Sequence, residues 1–125
     1  MTRRQFVAAL IAALPALALP AAAAAASTSR ADVRARLFRD RVLDRQPIAA
    51  YVDLHLAKHP RDADFGTLLG KVLGGRAGDD AEAMKRHILA GIRQDFEAGR
   101  TEILDGWILS LTEVRLWCLY LAVTP

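Results

Sequence analysis

His55 and His59, four residues apart, come nearest in this chain to a ligand-binding pattern. On a helix that spacing puts both imidazoles on one face, where they could supply two nitrogens to a metal ion or axial ligands to separate haems. His87 can join them only if its helix is brought close. A structural role accounts for the same residues. His55 falls on the inner face of a helix with Ile48, Tyr51, Val52 and Leu56, and His59 stands at the helix end, where the dipole favours a cation with or without a ligand. No Cys-x-x-Cys-His haem attachment or His-Glu-x-x-His zinc motif accompanies them, and the nearby acids are Asp53 and Asp62. The expectation is a chain with no metal, catalytic or cofactor residues of its own, with His55 and His59 as the metal candidates.

Other reactive groups have simpler roles. Asp105 and Glu113 flank Trp107 and could form a general acid pair, but one suits a turn and the other a helix cap. Cys118 lies between Trp117 and Leu119 in an apolar run, as a buried packing residue would. A nucleophilic thiol needs a cationic, partly open setting, and Arg115 is a poor basis for one. Gly74-Gly75-Arg76-Ala77-Gly78 lacks both the preceding strand and the lysine of a phosphate-binding loop.

The elements that must position these groups read as mainly α, a small bundle of about five helices with a short hairpin before the last. Ser29 and Asp32 can cap a first helix with Val33, Leu37, Phe38 and Val42 on one face. Its arginines, from Arg34 to Arg45, alternate with Asp32, Asp40 and Asp44. Asp32–Arg36 and Arg36–Asp40 have the spacing of surface ion pairs, and the same face could dock an acidic partner. Pro47 and Pro60 bracket a second helix. A third runs from Asp64 to Leu73 and stops at Gly74-Gly75, with Gly66 and Gly70 open to close approach by another backbone.

Asp79 and Asp80 cap a fourth helix, in which Glu82 can pair with Arg86 and Met84, Ile88, Ile92 and Phe96 form a stripe ending at Gly99. Thr101–Leu104 and Trp107–Leu109 around Asp105-Gly106 predict a hairpin. Ser110 and Glu113 form a capping box for a fifth helix, apolar from Val114 to Val123 except at Arg115. Such a helix either runs through the centre of the bundle or has one side covered by another polypeptide. Trp107, Trp117 and Tyr120 are the candidates for that partner interface.

The first 26 residues have the order of a bacterial export leader. Arg3 and Arg4 precede Phe6, an apolar stretch runs to Leu19, and small residues Ala21 to Ala26 follow. Fourteen apolar residues interrupted by Pro15 fall short of the roughly 20 needed to span a bilayer. The pattern resembles the twin-arginine signal, whose translocase carries folded proteins to the periplasm. Overlapping Ala-x-Ala triplets leave the cleavage point open within Ala21 to Ser27.

Without the leader, 99 residues remain, enough for one small domain, and the leader's two arginines reduce the charge to 15 Lys and Arg against 14 Asp and Glu. That near-neutral balance argues against nucleic acid as a partner. A single cysteine excludes an internal disulfide framework. No transmembrane helix is expected in the mature chain.

A twin-arginine leader on a short helical chain without cofactor motifs resembles the small subunits of membrane-bound flavin-dependent sugar and polyol dehydrogenases. The segment Asp105-Gly106-Trp107-Ile108-Leu109-Ser110, with Thr112-Glu113 and Arg115-Leu116, resembles a recurrent feature of small exported proteins of this sort. The resemblance implies a non-catalytic accessory subunit in the periplasm that helps export or stabilise a larger oxidoreductase subunit. Flavin or another redox cofactor would then sit in that partner, which could also hold the chain at the inner membrane. Two alternatives stay open: a stand-alone periplasmic metal- or ligand-binding protein using His55 and His59, and a small enzyme using Glu113 or Asp105.

Overall fold

The structure, a computed structural model, describes residues 28–39 and 42–125. The leader with Arg3, Arg4 and Phe6, its cleavage region through Ser27, and Asp40 and Arg41 lie outside the described residues. The described chain is mainly α, in the order α1 (Arg30–Leu37), α2 (Arg45–Lys58), α3 (Phe65–Leu73), α4 (Ala81–Ala98), β1 (Thr101–Leu104), β2 (Trp107–Ser110) and α5 (Leu111–Val123). Pro60–Ala63 and Gly74–Arg76 form short 3-10 turns on either side of α3. Among the described residues no helix is long and apolar enough to cross a membrane.

Each helix starts where a short polar side chain can satisfy its free amides. Ser29 and Asp32 form a reciprocal capping box, and Asp44, Asp64, Asp80 and Ser110 accept from first-turn N–H groups of the helices that follow. Gly99 closes α4 at φ 73°. The hairpin pairs Glu102 with Leu109 and Ile103 with Ile108. Asp105 and Gly106 both take positive φ at its turn, the combination that matches the twist of the flanking strands.

α5 is the centre of the bundle. It packs against all four other helices and the second strand, and Ala122 alone among its residues is exposed. Val114, Cys118, Leu119 and Val123 are buried along it, facing Val33, Leu68, Leu69, Leu73 and Met84 from the surrounding helices. The helix that is apolar on every side is therefore the one surrounded by others.

Several expectations change. α1 ends at Leu37, so Val42 is not on its inner face and stands 95% exposed. The Arg36–Asp40 pair lies outside the described residues, and the Asp32 carboxylate accepts from the Ser29 amide; Arg36 donates to Ala77 O and Asp79 O, each at 3.1 Å, and ties α1 to the loop before α4. Glu82 pairs with Lys85, not Arg86.

Met84 and Ile88 are buried, but Phe96 is exposed. Residues four apart precess by about 40° per step on a helix of about 100° per residue, which carries Phe96 about 120° off the inner line. Asp95 returns to that line and is buried there. Nor does another backbone approach Gly66 or Gly70. The close contact is at Gly91, where an added Cβ would lie 3.4 Å from Thr112 Oγ1 of α5.

Candidate functional site

Pro60 cannot extend α2, and the 3-10 turn that follows folds the chain back under the helix. Its hydrogen bonds, Asp62 N to His59 O and Asp64 N to Arg61 O, aim the Asp62 carboxylate at the side chain of His55. Asp62 Oδ2 lies 2.7 Å from His55 Nε2. From the other side β1 presents Glu102, whose Oε2 is 2.5 Å from His55 Nδ1. Two cations complete the cluster: Lys71 Nζ of α3 is 2.6 Å from Asp62 Oδ1, and Arg115 Nε of α5 is 3.0 Å from Asp62 Oδ2. Three helices, a turn and a strand thus meet at His55, which is fully buried.

A neutral imidazole has one N–H and one lone pair, yet carboxylate oxygens face both ring nitrogens of His55. A contact of 2.5 Å between Nδ1 and Oε2 is a hydrogen-bond distance, with room for a proton between the two atoms and for nothing larger. Burial alone would raise the Asp62 carboxyl, but hydrogen bonds from Lys71, His55 and Arg115 hold it well below the ordinary carboxylate range. Asp62 is thus a firm anion that fixes a proton on His55 Nε2.

Glu102 is less well satisfied. It is 7% exposed, and its buried Oε1 has no hydrogen-bond partner. The nearest cationic groups to that oxygen are Lys58 Nζ at 3.9 Å and His59 Nε2 at 4.0 Å, both beyond hydrogen-bond distance. The His59 ring stacks on His55 with centroids 4.6 Å apart and planes inclined by 25°. His55, His59 and Glu102 form a group whose ligand atoms all lie within 4.8 Å of one another. His87 lies outside it.

Comparison with family models, curated proteins and solved structures finds no match to this chain.

The other sequence candidates are dispersed. Tyr120 is a core residue, 4% exposed, with its ring edge-on to Phe38 at 5.3 Å. Its hydroxyl accepts from Leu43 N at 3.0 Å. Because α5 is enclosed, its Tyr120 side cannot be a docking face. Trp117 is half-buried against Tyr51, with centroids 5.6 Å apart, whereas Trp107 is exposed on the hairpin.

Asp105 is exposed at the turn, and Glu113 lies in the first turn of α5, its N–H donating to Ser110 Oγ. Cys118 is buried, and burial, with the nearby charge of Asp62, pushes its thiol up to about 12. A thiol held protonated in the core is a packing group.

Helical spacing pairs His55 with His59 but leaves Glu102, Lys71 and Arg115 outside the site. The alternation of β1 held one signal: Glu102 shares its strand face with buried Leu104, so its carboxylate had to find partners inside. Arg115 gave another, as the one charge within the apolar run from Val114 to Val123.

Proposed function

We propose that this chain is a non-catalytic accessory subunit that accompanies a larger periplasmic oxidoreductase subunit through twin-arginine export and stabilises it afterwards. The observation that carries this reading is the outer face of the hairpin. Ile103 and Ile108 are cross-strand partners facing solvent, and Trp107, which pairs with Leu104 on the other face of the ribbon, is likewise exposed at the hairpin end. An exposed isoleucine pair and an exposed tryptophan on one hairpin gain free energy when another protein covers them, and tryptophan is among the residues that dominate such interfaces.

Further support comes from the groove of about 270 Å³ between α1, α4 and α5, where Leu89 and Trp117 present apolar surface. The leader and its arginine pair would serve both chains. The partner is expected to be a leaderless flavin enzyme acting on a sugar or polyol.

Deletion of this chain, followed by assay of periplasmic dehydrogenase activity, tests the reading. Activity should fall, the large subunit should remain in the cytoplasm, and wild-type chain should restore both. A Trp107→Ala, Ile108→Ser variant that exports normally should restore neither. Unchanged dehydrogenase export in the deletion strain would overturn the reading.

A further inference from the structure

A carboxylate oxygen sealed from solvent without a hydrogen-bond donor is a costly arrangement in a protein interior. Glu102 Oε1 is such an oxygen; it lies 4.0 Å from His59 Nε2, while Oε2 of the same carboxylate faces His55 Nδ1. We infer that His55 Nδ1, His59 Nε2 and the Glu102 carboxylate form a binding site for a divalent transition-metal ion of the zinc class.

The donor set of two neutral imidazoles and one carboxylate is the chemistry that zinc takes, and three protein ligands leave a fourth position for water. The supporting shell is already built. Asp62 accepts from His55 Nε2, which leaves the Nδ1 lone pair directed at the ion, and Lys71 and Arg115 hold Asp62 in turn. A bound ion would need the Glu102 carboxylate to draw back from its 2.5 Å contact with His55 Nδ1, and it would neutralise Oε1 as well. It would displace the proton shared by Nδ1 and Oε2, and that proton would leave to solvent.

The entry path lies on the side of His59 and Lys58, whose side chains are 38% and 59% exposed. His59 follows the last turn of α2, so its ring can close on the ion without disturbing the core. The Lys58 ammonium, on a flexible stem, can swing outward as a like charge arrives.

Titration of chelator-stripped protein with Zn²⁺ by calorimetry, in two buffers of different ionisation heat, tests the site. One ion should bind per chain with release of about one proton. Co²⁺ in place of Zn²⁺ should give the intense visible bands of a four-coordinate site. His59→Ala changes a partly exposed residue at a helix end. It should keep its circular dichroism and melting temperature without metal, yet bind Zn²⁺ at least about tenfold more weakly. Glu102→Gln should also weaken binding and abolish the proton release. Absence of saturable binding would overturn the proposal, as would binding that His59→Ala leaves unchanged, since the ion would then sit elsewhere.

Discussion

His55 Nε2 and Asp62 Oδ2 lie 2.7 Å apart, and neither side chain reaches solvent. The two residues come from opposite sides of Pro60, so the pair locks the end of α2 to the turn that leads into α3. Asp62 also faces Lys71 and Arg115 and is the point at which two cationic side chains and the His55 ring are held together.

Asp62→Asn should therefore be severe. The amide keeps the shape but removes the charge that Lys71 and Arg115 face and that His55 donates to, at a cost of about 3–5 kcal/mol for breaking a buried ionic network. Lys71→Met removes a partner that is 38% exposed and should cost about 1 kcal/mol or less. Urea unfolding midpoints of the two variants give the comparison; equal losses would place the network's strength at Lys71.

Acid should destabilise the fold in a defined direction. Asp95 is raised by burial, but Thr112 N and Arg100, at 2.8 and 2.9 Å, more than offset this and hold its carboxyl below the ordinary value. Asp62 is shifted in the same direction. A carboxyl with a lower pKa folded than unfolded leaves the unfolded chain binding more protons between the two values, so stability falls as pH drops below about 3.9. Unfolding midpoints measured down this range should fall steeply for wild type and less steeply for Asp95→Asn, which starts from a lower plateau.

The two tryptophans should behave differently. Trp117→Ala removes a half-buried ring from Tyr51 and should cost about 2–3 kcal/mol, less than a fully enclosed tryptophan would. Trp107→Ala acts on an exposed side chain and should change stability by no more than about 0.5 kcal/mol. Thermal melts of both variants check this, and a large loss in Trp107→Ala would mean that the hairpin's tryptophan is structural.

Tyr120→Phe isolates one hydrogen bond. The ring and its contact with Phe38 stay, while Leu43 N loses its acceptor, at a cost of about 1 kcal/mol. Slower protection loss in the wild type than in the variant, read at the Leu43 amide by hydrogen exchange, would locate the effect at that bond.

Local chemistry was legible in the sequence wherever a nearby residue decides the outcome. Ser29, Asp80 and Ser110 cap helices because a short oxygen-bearing side chain reaches amides two or three residues ahead. Asp105-Gly106 makes the hairpin because both residues accept positive φ. The last helix, apolar from Val114 to Val123 except at Arg115, had to be covered on every side, by the bundle or by another polypeptide.

What surrounds it, and which charges meet inside, depended on contacts between distant parts of the chain. Glu102 and His55 are 47 residues apart, and Arg115 reaches Asp62 across 53, so no spacing rule could join them. The sequence by itself determined the mainly helical class, the caps, the hairpin and the pairing of His55 with His59, because these follow from short-range sterics and helical period. Only the tertiary structure decided that Asp62 and Glu102 converge on His55 and that Lys71 and Arg115 converge on Asp62, because a buried charge is settled by what the packing places opposite it.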